Sequence, residues 1–298
     1  AKRAVGKKVV ATKSVPGAAV PAKKGASRTG AKKSSVGIVS EKVNLDKIPS
    51  IGHFLETKTP DGRGTYSTGV GGTVFTSELY GRVTLSQAVM RKWHSASVKN
   101  GKTPSGETIQ KYLGLPMRNS QKLRDGVEVA YFERGVIVVR GSKAHVVYGM
   151  TYMKYASLGG VRGSFGLPTS DVLSAAKGGT VCTFDGCDIY WHPSTAAFEV
   201  HGAIRDKYKA LGGCASWLGY PLSDECKVLS KEREIGRFSC FQGASIYWSS
   251  GTGAWEVHGA IRDAWLKDYG GPAGSLGFPT SDERDSPRKA GRYNNFQN

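Results

Sequence analysis

One short stretch is written four times. It reads LGLPMRNS at 113–120, FGLPTSD at 165–171, LGYPLSDE at 218–225 and SLGFPTSDE at 275–283. Its prolines, Pro116, Pro168, Pro221 and Pro279, stand 52, 53 and 58 residues apart. Self-similarity at such a period means one supersecondary unit used in tandem, which constrains the architecture more than any composition does. The fullest pair is TFDGCDIYWHPSTAAFEVHGAIRDKYKALGGCASWLGYPLSDE against CFQGASIYWSSGTGAWEVHGAIRDAWLKDYGGPAGSLGFPTSDE, at 183–225 and 240–283. A weaker copy lies at 126–171, where Val136, Ile137, Val138 and Val139 take the place of IYW, and the weakest lies at 64–120. The last residues, GRYNNFQN, match GRFSCFQG at the head of the fourth copy, which marks the start of a fifth.

Each copy reads as hairpins followed by a helix. Aromatic and β-branched runs such as GRFSCF, SIYW and AWEV are separated by turn residues. Apolar residues then step by four: Leu85, Val89, Trp93; Val147, Thr151, Tyr155; Val200, Ile204, Tyr208; Val257, Ile261, Trp265, Tyr269. That is one face of a helix of about three turns. Gly-Gly pairs at 159–160, 212–213 and 270–271 supply the left-handed stop. In the recurring loop, Gly114, Gly166, Gly219 and Gly277 permit a sharp turn, and each motif proline fixes φ with no N–H left over. The Thr-Ser-Asp that follows suits an Asx or ST turn onto its own backbone. The loop thus reads as a hinge between one unit's helix and the next unit's strand. The expected fold is a β-rich repeat protein of α+β units, each about 55 residues: a short hairpin or sheet plus one short helix. The units run about 64–125, 126–178, 179–235 and 236–290, with a fifth starting at 291–298. A connector fills 41–63.

Residues 1–40 differ in kind. They carry Lys2, Arg3, Lys7, Lys8, Lys13, Lys23, Lys24, Arg28, Lys32 and Lys33 and no acidic residue, in a chain of net charge +18. With no aromatic residue, such a segment cannot offset its ordering entropy, and it reads as a disordered basic arm. Its partners would be polyanions: nucleic acid, a teichoic-type polymer or an acidic protein face. The opening AKRAVGKKVVATK has no apolar h-region and is not an intact signal peptide, and no apolar run is long enough to span a bilayer.

Five cysteines, Cys182, Cys187, Cys214, Cys226 and Cys240, fall within one part of the chain. They are compatible with one or two local disulfides or with buried thiols, and their spacing does not favour zinc. His201 and His258 recur in EVHGAIRD beside Glu199 and Glu256. Tyr148 and Ser86 hold the same place in the other copies, so the histidines read as helix-start residues that cap or pack, against a ligand or metal role. Arg205-Asp206 and Arg262-Asp263 read as a solvated helix face. The aromatics Tyr190, Trp191, Trp217, Tyr247, Trp248 and Trp255 offer sugar-stacking platforms or core packing. Alternation puts Tyr and Trp of each IYW on opposite faces. No nucleophile elbow, HExxH or Walker loop is present, and the chain reads as a non-enzyme without metal or cofactor.

These motifs resemble the LGFP repeat, known from envelope proteins of actinobacteria. The resemblance covers about 64–298. It implies a non-catalytic module that anchors to cell-wall polysaccharide or envelope lipid-glycan outside the cell, with five units in a closed propeller-like ring. The alternative is a structural part of a phage virion or another large assembly, where the arm docks onto other subunits and the repeats touch the host envelope.

Overall fold

The computed structural model describes residues 55–96, 103, 106–287 and 290–298. The basic stretch read as a polyanion-binding arm, Lys2 to Lys33, lies outside these residues.

The units are four-stranded antiparallel sheets in simple up-and-down order, each followed by one main helix. The first holds β1 (Thr57–Lys58), β2 (Gly64–Gly69), β3 (Gly72–Ser77) and β4 (Gly81–Leu85), then α1 (Gln87–Ser95) and a five-residue α2 (Ile109–Leu113) in its insert. The second holds β5 (Gln121–Lys122), β6 (Val127–Phe132), β7 (Gly135–Arg140), β8 (Lys143–Tyr148) and α3 (Gly149–Ser157). The third holds β9 (Leu173–Ser174), β10 (Thr180–Thr183), β11 (Cys187–His192), β12 (Ala196–His201) and α4 (Gly202–Ala210). The fourth holds β13 (Cys226–Ser230), β14 (Arg233–Cys240), β15 (Ser245–Ser249), β16 (Gly253–Val257) and α5 (Gly259–Asp268). A two-stranded hairpin, β17 (Arg284–Asp285) and β18 (Arg292–Tyr293), begins a fifth.

The leading strand of each sheet was not among the expected runs; in the first three sheets it is two residues long, too short for a period to read. For the same reason β1, inside the stretch read as connector, belongs to the first sheet: Thr57 and Lys58 pair with Tyr66 and Thr65. Among the described residues no strand pairing joins the sheets into a ring.

The stripes are only partly helical: the first member of each, Leu85, Val147, Val200 or Val257, lies on the strand before the helix, and the later ones lie on the helix or its cap. Leu85, Val89, Trp93, Val147, Thr151, Tyr155, Val200, Ile204 and Tyr208 are all buried. Each such side chain contributes roughly 1.5–3 kcal/mol of apolar burial. The last stripe is less buried: Val257 on β16 and Trp265 on α5 are buried, Ile261 is half-buried, and Tyr269 at the C-cap is exposed. The Gly-Gly pairs end α3, α4 and α5, with Gly159, Gly212 and Gly270 in the left-handed region at φ 94°, 92° and 77°.

Each helix packs forward onto the next unit: α1 onto β7 and β8, α3 onto β11 and β12, α4 onto β15 and β16. The recurring loop locks that arrangement. Its proline bridges the phenylalanine that closes the second strand of the following unit: Pro116 to Phe132, Pro168 to Phe184, Pro221 to Phe241, Pro279 to Phe296. The residue after each loop glycine then pairs with the residue after that phenylalanine. The Tyr220 N–H donates to Gln242 Oε1 at 2.9 Å, and the Gln242 N–H returns to the Tyr220 carbonyl at 3.0 Å. Leu167 with Asp185, and Phe278 with Gln297, repeat this at 2.8–3.0 Å. Leu115 and Glu133 repeat it at 3.2–3.3 Å. All four loop glycines have positive φ, between 66° and 75°, and a Cβ there would strike the Glu133, Asp185, Gln242 or Gln297 side chain. Beneath the loop, the helix aromatic joins both units. The Tyr208 hydroxyl donates to the Gly219 carbonyl at 2.6 Å while its ring stacks on Phe241 at 4.4 Å. Tyr155 with Gly166 and Phe184, and Trp265 with Gly277 and Phe296, do the same. The loop is therefore a clamp on the next unit, more than a hinge.

The aspartate after the proline also works across units. Asp171, Asp224 and Asp282 do not turn onto their own backbone. Each accepts the backbone N–H of Val146, Glu199 or Glu256 and the ammonium of Lys92, Lys154 or Lys207 from the previous unit's helix. A local turn loses here to bonds that satisfy groups on two other elements.

Candidate functional site

The clamp holds one large aromatic ring at the surface. Trp217 precedes Leu218 in the third loop, and the Leu218 carbonyl accepts from the Gly243 N–H at 2.9 Å. A side chain at 243 would collide with the Trp217 backbone, so the glycine lets the two segments close. The indole leans on the His258 imidazole, with centroids 4.5 Å apart and planes at 51°. Trp217 keeps 51% of its surface exposed.

His258 sits at the N-cap of α5 but makes no capping bond. Its Nδ1 lies 2.8 Å from Glu256 Oε2 and 3.2 Å from Glu283 Oε2. Glu256 Oε1 accepts the Glu283 N–H at 2.9 Å, and Arg292 reaches Glu283 at 2.6 Å. The same array stands one unit earlier. His201 contacts Glu199 at 2.7 Å and Glu225 at 3.1 Å, and Arg237 contacts Glu225 at 3.0 Å. Bonds from Glu199 and then Glu225 hold the His201 imidazolium and raise its pKa to about 9. The carboxylates are buried. The reading of these histidines as caps is thus replaced by a role as hubs between carboxylates, and their packing role stands: Phe165 lies 5.0 Å from His201 and Trp217 lies on His258. The signal was available in the joint recurrence of Glu199, His201, Glu225 and Arg237 as Glu256, His258, Glu283 and Arg292, and in its joint loss from the first two units.

The other aromatics divide as strand alternation requires. Tyr190 and Tyr247 are core: Tyr190 meets Tyr208 edge-on at 5.3 Å, and Tyr247 meets Trp265 at 4.7 Å. Neither leaves a face for a ligand. Trp191 and Trp248 are half-buried, Trp191 in a cleft of about 140 Å³ with Tyr112 and Tyr148, Trp248 against the third unit's core. Trp255 is covered by Lys207, whose ammonium lies 4.5 Å from the ring centre, and its Nε1 donates to the Thr252 carbonyl at 2.7 Å. Of the six, Trp217 offers the most open platform. Arg205 and Arg262 turn inward to half-buried places, while Asp206 and Asp263 stay in solvent. All five cysteines are thiols, and burial pushes Cys187 up to about 12.

The family model of the LGFP repeat matches residues 165–216, 218–274 and 276–298. Residues 165–298 are LGFP repeats. Each match begins at or beside the clamp loop and takes in the sheet that the loop grips, so the LGFP motif and its grip travel together. Among curated proteins nothing matches the chain. Of solved structures, the extracellular domain of BT4673, described as a hybrid two-component system of B. thetaiotaomicron, aligns at 11% identity and a TM-score of 0.17, over 82% of this chain and 28% of that one. A streptogramin B lyase aligns at 9% and 0.14, over 73% and 58%. The chain spans less than two thirds of either, and neither superposition amounts to a shared fold. No helix among the described residues is long and apolar enough to cross a membrane.

Proposed function

We propose that the LGFP repeats form a non-catalytic envelope-binding module, with Trp217 as a sugar-stacking platform and the basic arm adding affinity for anionic polymer. The observation that carries this is the half-exposed Trp217 ring, fixed by an LGFP clamp beside His258. Aromatic faces suit the apolar faces of pyranoses, and a rigid ring loses little entropy on binding. The polar array beneath is already satisfied within the protein, which favours a supporting role over acid–base chemistry. The forward packing of each helix onto the next sheet supports reading the units as an arc of a five-unit ring. Small-angle scattering tests that part, since an open rod of units would have a larger radius of gyration than a ring. The binding test is retention on purified actinobacterial cell walls. The chain is expected to be retained, and Trp217→Ala to weaken retention by about tenfold, roughly 1.4 kcal/mol. Wild-type chain that stays in the supernatant overturns the proposal.

A further inference from the structure

The second unit holds a cleft that the third unit fills. It has a volume of about 370 Å³, within the size range of small-ligand sites. Its floor is Val136 and Tyr155, its walls are Tyr131 and Tyr152, and Arg118 and Arg162 stand at its rim. No carboxylate lines it. The Arg118 guanidinium lies over the Tyr131 ring, 4.2 Å from its centre. A guanidinium held flat by a ring keeps its N–H edge free for a planar or tetrahedral oxyanion.

The third unit acts as an internal control. Counting from the strand registers and helix N-caps, Val136, Tyr152 and Ala156 correspond to Asp188, Arg205 and Lys209. There Lys209 lies 2.5 Å and Arg205 3.8 Å from the buried Asp188 carboxylate. An internal ion pair occupies what is open space in the second unit. In the fourth unit Leu266 takes the place of Ala156. The cleft exists because Ala156 is short and Val136 carries no charge to attract a lysine.

A second hollow of about 690 Å³ shares the Leu123, Val161 and Arg162 wall and adds Lys122 and Arg124 with Asp125. Among the described residues, none of Arg118, Lys122, Arg124 and Arg162 forms an ion pair with a carboxylate. Two of these cations, Arg118 and Arg162, line the aromatic-walled cleft, and Lys122 and Arg124 line the hollow beside it.

We infer that this cleft binds an anionic saccharide, its ring against Tyr131 and Tyr152 and its phosphate or carboxylate on Arg118 and Arg162. The inference takes from the envelope proposal only the expectation of a sugar. Its residues lie in a different unit from Trp217, so either site can fail alone. The test is calorimetric titration of the full chain with glucose 1-phosphate, glucuronate, glucose and inorganic phosphate. Small probes keep the basic arm from adding avidity, and every variant retains that arm. Saturable one-to-one binding of an acidic sugar is expected, at least tenfold tighter than glucose or phosphate alone. Which acidic sugar binds identifies the anion. Arg118→Ala with Arg162→Ala should abolish it. Ala156→Trp, at an exposed position, places a bulky neutral ring over the cleft and should block it with the fold kept by circular dichroism. Trp217→Ala should leave the titration unchanged. No saturable binding, equal binding of inorganic phosphate, or binding that survives both variants overturns the inference.

Discussion

The junction between the second and third units and the one between the third and fourth have the same backbone and opposite chemistry. At the first, Val146, Tyr148, Val172 and Thr180 meet. The Tyr148 hydroxyl is buried with no hydrogen-bond partner among the described residues, and burial pushes its pKa up to about 12. At the second, the corresponding Glu199, His201, Glu225 and Arg237 form a hydrogen-bonded ionic array. The junction of the first two units offers a third solution, in which the buried Glu128 accepts from the Ser86 and Ser120 hydroxyls at 2.8 and 2.6 Å. These positions change as a set, because one buried charge without its partners costs more than the whole set replaced by apolar groups. The clamp beside them does not change. The repeat therefore divides into an invariant fastener and an interchangeable filling.

That division predicts equal damage where the fastener is cut. Phe184→Ala and Phe241→Ala each remove a buried ring stacked on a helix tyrosine, and each should cost about 3–5 kcal/mol. Urea unfolding followed by tryptophan fluorescence reads both. A loss confined to one of them would show that the clamps are not equivalent. Next in size is the loop glycine. Gly166→Ala and Gly219→Ala put a side chain at positive φ and against Asp185 or Gln242, and should cost about 2–3 kcal/mol at both junctions by the same measurement.

The fastener's parts were legible and its grip was not. Leu-Gly-aromatic-Pro announced a turn, and the period gave the units. That the turn closes on the following unit was hidden because its partners, Glu133, Asp185, Gln242 and Gln297, share only an acceptor oxygen, and no single residue type recurs. Tyr190 and Trp191 separated as alternation required, since a strand of one buried face allows nothing else. The histidines were misread because a helix-start position suggests capping, while the partners that recruit them stand two residues before the histidine, at the head of the next strand and further along. The cleft in the second unit rests on what Ala156 lacks, and a small residue on a helix carries no sequence signal of the space it leaves.

The filling should separate the junctions by pH. His201 has a folded pKa of about 9, above the ordinary value of 6.5. Its contribution is complete below pH 6.5, where the imidazole is charged in both states, and is lost as pH rises through 9. We expect about 3 kcal/mol of stability to disappear from the chain over that interval. A histidine resonance titrating near pH 9, removed by His201→Tyr, assigns the effect. Over the same range the Tyr148 junction stays neutral and contributes no slope. A His201 midpoint below 7 would place the imidazole outside the carboxylate array.

The smallest effect concerns the lysines that reach forward. Lys92 and Lys207 lie 2.5 Å from Asp171 and Asp282, and Lys154 pairs in the same way with Asp224. The fourth helix of the series has Ala264 at this position. Each aspartate also accepts a backbone N–H, so removing the lysine leaves the carboxylate with a partner and access to solvent. Lys154→Met keeps the stem over the Phe198 ring and should cost at most about 1 kcal/mol. Asp224→Ala removes the backbone bond as well and should cost more. If the two substitutions cost the same, the ion pair rather than the strand bond holds the aspartate, and the lysine belongs with the fastener instead of the filling.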